Sequence, residues 1–273
     1  SGALTSAEIA QLPEAFAQPA RLGRDLGFGG VEIHAAHGFL LSQFLSPLFN
    51  TRTDAYGGGI ANRMRLLLEV IDAVRSAVGP TFPIGVKLNA TDQLQGGLVP
   101  ADALEVAHAL DSTSVDLIDI SGGTYFPGAA SASDSTASGA YFLDFARAAR
   151  ERTKVPLMVT GGFKTRAQAI DALINGDADV IGLARSLVLD PALPRRWQDS
   201  AFEKQGDVAF PRFDVPPEGG ITAWYSMRLT DIGEDNEGDA VDLPAAVAAY
   251  DARDAARVQQ WNARFAGEPA VKC

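Results

Sequence analysis

The chain has 273 residues, of which 47% are hydrophobic and 21% are charged, a composition typical of a soluble globular protein. Its formal net charge of −11 argues against nucleic acid or an anionic membrane as a partner, because an acidic surface attracts neither. No apolar stretch approaches the roughly 18 residues that span a bilayer, no signal peptide is evident, and the single cysteine, Cys273, excludes an internal disulfide, so a cytoplasmic location is expected.

Helical and strand patterns alternate along most of the chain. Candidate caps mark the helix ends, such as Thr5 before the first helix and Gly176 after the fifth. The predicted elements are, in chain order, a helix over Ser6–Leu26, a strand over Gly30–Ile33, a helix over Ile60–Val78, a strand over Pro83–Leu88, a helix over Pro100–Leu110, a strand over Val115–Ile120, a helix over Ala140–Arg152, a strand over Pro156–Thr160, a helix over Thr165–Asn175 and a strand over Asp179–Leu183.

The five strands are short, apolar and rich in Val, Ile and Leu, which is typical of parallel strands buried on both faces under crossover helices. In such a sheet the strands all end at the same rim, where function is expected. Polar residues or glycines follow all five strands, which predicts an active site at this rim. They are His34 and His37, Lys87, Ser121-Gly122-Gly123, Gly161-Gly162 and Gly182–Arg185.

His34 and His37 lie three residues apart at the end of the first strand, a spacing that can direct both imidazoles to one point. Two neutral imidazoles can donate two N–H bonds to one oxygen, as in binding a polarised carbonyl or a phenolate. A metal-binding pair and two histidines that merely end a strand explain the same spacing, and the residues alone favour none of the three.

Gly161-Gly162 and Gly182-Leu183-Ala184-Arg185 each follow a strand and precede a predicted helix. Glycine lets the backbone approach a ligand, and consecutive loops of this kind form the usual phosphate site of an α/β barrel. Ordinary turn chemistry is the alternative for either motif alone. Lys87 interrupts an apolar strand and requires a partner, for which a carboxylate such as Asp119 is the structural alternative to a bound group.

Several separated motifs, in one order, resemble the Old Yellow Enzyme family of FMN-dependent ene reductases from about Leu4 to Trp197. The longest begins at Val31 and reads V-E-I-H-A-A-H-G-F-L-L-S-Q-F-L-S-P-L-F-N-T-R-T-D-A-Y-G-G-G-I-A-N-R. The others read G-V-K-L-N, D-L-I-D-I-S-G-G, V-T-G-G-F and V-I-G-L-A-R.

This resemblance implies an FMN enzyme that reduces activated alkenes by hydride transfer from flavin N5 and is re-reduced by NAD(P)H. It implies that His34 and His37 bind the carbonyl or nitro oxygen of a small-molecule substrate and that Lys87 lies beside the flavin pyrimidine. The absence of a G-x-G-x-x-G fingerprint fits a nicotinamide that binds only transiently. By the same resemblance, the FMN phosphate contacts are Gly161, Gly162, Gly182, Ala184 and Arg185.

Phe39 departs from the family pattern, which usually has a tyrosine here that delivers a proton to the substrate's α-carbon. Phenylalanine has no proton to give, so water or another residue such as Tyr125 would have to act as the acid. Alternatively, alkene reduction is slow and another electron acceptor is the physiological one.

The resemblance also implies a TIM (β/α)8-type barrel of which this chain contains strands 4–8 only. Residues 1–197 are expected to form the five βα units, and residues 198–273 a C-terminal extension with helices at Ile221–Leu229 and Leu243–Phe265. Five strands would leave both outer strands as open edges. The missing N-terminal units would then come from a complementing segment, have been lost, or be replaced by homo-oligomerisation.

Three functions therefore compete. The leading one is the FMN-dependent NAD(P)H oxidoreductase, and the second is a partial barrel that holds cofactor poorly, lacks activity and associates with itself or with a complementing chain. A metal hydrolase built on His34 and His37 comes last, because a metal site needs a third ligand and His108 is on the wrong element to supply it; no metal is expected.

Overall fold

The structure is a computed structural model of the chain, and it describes residues 3–124, 126, 140–199, 206–214, 216–217, 219–236, 238 and 242–265. Tyr125 and Cys273 lie outside these residues. Within the described residues, no helix combines the length and the apolar character needed to cross a membrane.

Strands and helices alternate through the first two thirds of the chain, and helices follow. The elements are α1 (Ser6–Asp25), β1 (Val31–Ala35), α2 (Leu40–Leu45), α3 (Ile60–Arg63), α4 (Arg65–Val78), β2 (Ile84–Asn89), α5 (Pro100–Leu110), β3 (Leu117–Ser121), α6 (Leu143–Arg150), β4 (Leu157–Thr160), α7 (Arg166–Ile174), β5 (Val180–Gly182), α8 (Arg185–Leu189), α9 (Leu193–Gln198), α10 (Gly220–Gly233) and α11 (Leu243–Phe265).

The strands form one parallel sheet in the order β1-β2-β3-β4-β5, which confirms the predicted α/β architecture. Helices α4, α5, α6 and α7 each connect one strand to the next. Side chains alternate between the two faces of a strand. One face is apolar and buried, with Ile33, Val86, Ile120 and Val159 among its members. The other face carries most of the polar side chains of the strands, so it is the face on which a site can form.

Local signals in the sequence account for the helix starts. Thr5 caps α1 through a capping box, since its hydroxyl accepts a hydrogen bond from the Glu8 amide at 3.2 Å and the Glu8 carboxylate accepts one from the Thr5 amide at 2.7 Å. Thr165 and Gln168 form the same motif at α7. Both caps satisfy backbone N–H groups that a helix start leaves without partners.

The helix predicted over Ile60–Val78 is interrupted at Met64, where α3 ends and α4 begins. Arg63, the last residue of α3, is buried and donates hydrogen bonds to the carbonyls of Gly58, at 2.9 Å, and Leu45. Its remaining terminal nitrogen contacts the Asp102 carboxylate of α5 at 2.6 Å. One side chain therefore connects α2, the glycine-rich loop and α5.

The chain divides by internal packing into two compact units, Leu4–Leu183 and Ala184–Cys273 with Ser1–Ala3. The sheet belongs to the first. In the second, Trp224 of α10 is buried in an apolar cluster with Val188 and Ala246. The domain boundary expected after Trp197 stays a prediction.

Replacing Arg63 with methionine, which keeps an unbranched stem, should lower the free energy of unfolding by about 3 kcal/mol or more, because Asp102 and two carbonyls lose their partner. Urea denaturation measures the change. The control is Arg21→Met, since Arg21 forms an exposed 3.6 Å pair with Glu14 and its replacement should lower the free energy of unfolding by less than about 0.5 kcal/mol. Equal losses in the two variants would show that Arg63 does not hold these elements together.

Candidate active site

The strand register brings the predicted catalytic and cofactor residues to one face and one end of the sheet. His34 on β1 is paired with Lys87 on β2, and Lys87 is paired with Asp119 on β3. Two residues further along the strands, Asn89 is paired with Ser121. Because partners in a parallel register point to the same side, all five side chains belong to the polar face near the carboxyl ends of the strands.

His34 and His37 lie close together, with their ring centroids 5.1 Å apart and the ring planes inclined at 56°. His34 is the fourth residue of β1, and His37 follows the end of this strand. The backbone of His37 adopts a left-handed conformation with φ at +61°, which is rare for a residue with a side chain. This conformation turns the chain so that the second imidazole returns toward the first.

Two neighbouring strands hold His37. Its backbone amide donates to Asn89 Oδ1 at 3.2 Å, and its ring Nε2 lies 2.8 Å from Ser121 Oγ. The next residue, Gly38, also has positive φ, and a Cβ there would lie 2.7 Å from the Phe126 ring. Glycine is therefore required immediately after the second histidine.

Burial keeps both imidazoles neutral near pH 7. It lowers the pKa of His37 to about 4, with the charges of His34 and Lys87 acting in the same direction. It also lowers the pKa of His34, where Lys87 adds to the shift and Glu32 opposes it. A neutral imidazole has one N–H donor, so the pair can donate two hydrogen bonds to one oxygen.

Lys87 lies beside the histidines and forms an ion pair with Asp119, as well as a longer contact of 3.7 Å with Glu32. The Asp119 side chain is only 2% exposed, and its second oxygen accepts a 2.7 Å hydrogen bond from the Thr160 hydroxyl. Burial lowers the pKa of Lys87, and the Glu32 carboxylate opposes that shift. The carboxylate partner considered from the sequence is thus present, and the flavin contact of Lys87 stays a prediction.

The predicted phosphate residues fall in both units. Gly161 and Gly162 follow β4 with φ of +116° and +83°, and Gly182 ends β5 at a position where a Cβ would collide with Thr160. Ala184 and Arg185 begin the second unit, where the Arg185 guanidinium lies 5.3 Å from the centre of the Tyr225 ring. The glycines at the ends of β4 and β5 let the backbone approach an anionic phosphate, and the cation on β2 fits the negative charge of reduced FMN.

Sequence reasoning missed Glu32, Asn89 and Thr160 as members of this polar face. For Asn89 the sequence holds a signal, because Asn89 follows Lys87 by two positions on the same strand. Thr160 is placed by its pairing with Gly182, which the sequence does not reveal. Phe39 lies at the site, with its ring 5.0 Å from that of His34 and with half of its surface exposed. Among the described residues, no three His, Cys, Asp or Glu side chains are grouped so as to hold a metal ion.

The neutral state of His37 predicts a pH dependence of stability. The unfolded chain takes up a proton on this ring below about pH 6.5, whereas the folded chain does so only near pH 4, so folding is progressively destabilised as the pH falls through this interval. Denaturation of the wild type and of His37→Gln at several pH values measures the effect, which should be smaller in the variant. Parallel curves for the wild type and His37→Gln would contradict a neutral His37.

Comparison with known proteins assigns the chain to a family. Residues 1–203 match the sequence profile described as the NADH:flavin oxidoreductase / NADH oxidase family. The NADH-dependent flavin oxidoreductase iliE of Hypocrea jecorina is 37% identical over 234 residues, which cover 81% of this chain and 58% of that protein. The NADPH dehydrogenase of Bacillus licheniformis is 39% identical over 193 residues, covering 70% of this chain and 55% of that protein.

Comparison with solved structures supports the same family assignment. Morphinone reductase in complex with tetrahydroNAD superimposes with a TM-score of 0.61 at 30% identity, covering 77% of this chain and 53% of that one. The chain spans a little more than half the length of these proteins. The family is one of enzymes that use FMN with NAD(P)H as the reductant. With the profile matched over residues 1–203, the chain belongs to the NADH:flavin oxidoreductase family, the group of Old Yellow Enzyme.

Proposed function

We propose that the chain provides the substrate-binding and much of the flavin-binding side of an FMN-dependent NAD(P)H oxidoreductase that reduces activated alkenes. The substrates would be α,β-unsaturated carbonyl or nitro compounds. The observation that carries the proposal is the pair of neutral imidazoles, His34 and His37, beside the cation of Lys87 on one face of the sheet. Hydrogen bonds to a carbonyl or nitro oxygen draw electron density from the conjugated carbon, which makes it a better hydride acceptor.

Bound FMN would supply the hydride to the β-carbon and would be reduced again by NAD(P)H. The chain's own residues would bind and orient the reactants. His34 and His37 would each donate an N–H to the substrate oxygen, and Lys87 would place positive charge near the pyrimidine edge of the flavin. The predicted phosphate contacts remain Gly161, Gly162, Gly182, Ala184 and Arg185. Asp119 and Thr160 would hold Lys87 in place, since they form a continuous polar chain with it.

Phe39 bears on the proton that must reach the α-carbon after hydride transfer. Its ring lies 5.0 Å from His34, and phenylalanine cannot act as an acid. Water would therefore supply the proton in this chain, unless Tyr125, outside the described residues, does so.

If protonation limits the rate, Phe39→Tyr should raise the rate of alkene reduction by about a hundredfold, the lower end of the usual effect of a positioned general acid. NAD(P)H consumption with cyclohexenone measures it. The matched control is Phe49→Tyr, which adds the same hydroxyl to a ring that stacks on Phe126 at 4.5 Å. A similar rate in wild type, Phe39→Tyr and Phe49→Tyr would mean that proton delivery from position 39 does not limit the reaction.

We further propose that β1 to β5 are strands 4–8 of an eight-stranded barrel, with βα units in residues 1–197 and an extension in residues 198–273. Among the described strands, β1 and β5 each pair with only one neighbour. Large apolar side chains are exposed beside both outer strands, Leu26 and Phe28 before β1 and Ile174 and Val180 at β5. Further βα units, from a longer form of the chain or from a complementing chain, would cover these edges.

The same exposed edges favour the second candidate, a partial barrel that binds FMN poorly, is inactive alone and associates with itself. The two candidates are separated by adding FMN to the purified 273-residue chain, removing free flavin, and recording the visible spectrum, the intact mass and the mass in solution. A stoichiometric flavin band that NAD(P)H bleaches and cyclohexenone restores would support the enzyme. A chain of the correct mass that retains no flavin and forms oligomers would support the partial barrel and overturn activity of this chain by itself.

A further inference from the structure

We propose that Asn89 and Ser121 are positioning residues that together hold His37 in the orientation in which it binds substrate. Asn89 acts on the backbone of His37, and Ser121 acts on its ring. Their importance for turnover rests on the function proposed above, whereas their effect on His37 can be measured without it.

The oxygen and the nitrogen of the Asn89 side-chain amide both form hydrogen bonds, and these connect the segments that follow β1, β2 and β3. Its Oδ1 accepts from the His37 amide at 3.2 Å, and its Nδ2 donates to Asp92 Oδ1 at 3.0 Å and to the Gly123 carbonyl at 2.9 Å. The side chain is completely buried. Because each bond requires the oxygen and nitrogen as assigned, the amide cannot be reversed without setting N–H against N–H.

The carboxylate of Asp92, which accepts a hydrogen bond from Asn89, is also buried. Asp92 is inaccessible to solvent, and its second oxygen accepts from the Leu98 amide at 2.8 Å. The contact to His37 is thus supported by a carboxylate that cannot exchange its partners for water. This gives Asn89 a single position, which a solvent-exposed asparagine would not have.

His37 needs such support because β1 has already ended at Ala35 and no longer supplies regular strand hydrogen bonds. A left-handed backbone at a residue with a side chain persists only where its surroundings hold it. The Asn89 side chain replaces the missing backbone partner, and an isolated parallel bridge to Thr124 adds a second contact.

Ser121 is the register partner of Asn89, so the two residues that end β2 and β3 contact the same histidine. The Ser121 hydroxyl, also buried, lies 2.8 Å from Nε2, so the proposed role requires this hydroxyl to donate to Nε2, which leaves the proton of the neutral ring on Nδ1. A neutral imidazole donates from one nitrogen only, so the tautomer decides whether His37 can donate to a substrate oxygen. Two residues that sequence reasoning did not assign to His37 thereby control both its position and its donor.

The test is nitrogen-15 NMR of the histidine rings, which is tractable because the chain has only three histidines. His34→Gln and His37→Gln provide the assignments. In the wild type, His37 should occupy a single tautomer and titrate with a pKa of about 4.

Ser121→Ala should give a mixture of tautomers, and Ser121→Thr, which keeps the hydroxyl, should restore the single one. Asn89→Ala should move the pKa of His37 upward toward 6.5 as the ring gains access to water.

The matched control is Asn50→Ala, which also removes a buried amide with three hydrogen bonds, here to the carbonyls of Phe44 and Tyr56 and the amide of Arg52. It should lower thermal stability without changing the His37 signals. If Asn89→Ala does not fold, the Ser121 pair of variants tests the ring contact by itself. The proposal is overturned if Ser121→Ala keeps one tautomer, or if a folded Asn89→Ala titrates like the wild type. Neither result depends on flavin or alkene, so an inactive chain would not obscure it.

Discussion

A parallel sheet places the carboxyl ends of all its strands at one edge, and the site in this chain depends on that constraint. The register pairs His34, Lys87 and Asp119 across three strands. It also pairs Asn89 with Ser121, two residues closer to the carboxyl ends of the strands. Residues that are far apart in sequence thereby become neighbours. Moving one strand by a single residue would turn its polar side chains into the apolar face, because the side-chain period is two.

The site combines neutral donors with a part-buried cation. Burial and the nearby ammonium of Lys87 both disfavour protonation of the histidines. Carboxylates on β1 and β3 stabilise the positive charge of Lys87, which is partly removed from solvent. The imidazoles are therefore directional hydrogen-bond donors, and the lysine is the charged group. Such a division suits a reaction in which one oxygen must be oriented and negative charge must be stabilised at a separate place.

Much of this could be predicted from the sequence, because apolar strands and helix caps are local signals. The five strands, the capping boxes at Thr5 and Thr165 and the position of the two histidines at the carboxyl end of β1 are of this kind. The helices α2, α8 and α9 have only five or six residues, too few for a periodic pattern. The hydrogen-bond partners of Asn89 and Thr160, by contrast, depend on tertiary neighbours. The register between strands determines which side chains become neighbours, and the order of residues along the chain does not reveal it.

The exposed ring of Phe39 beside His34 has a stereochemical consequence for the proposed reaction. The histidine pair would present one face of the alkene to the hydride and so set the configuration at the β-carbon. Without a hydroxyl on the ring at position 39, no side chain at that position directs the proton to a single face of the α-carbon. Unless another residue such as Tyr125 delivers the proton, the access of water would set the face of protonation, and a substrate with two different groups on this carbon would give a less selective product.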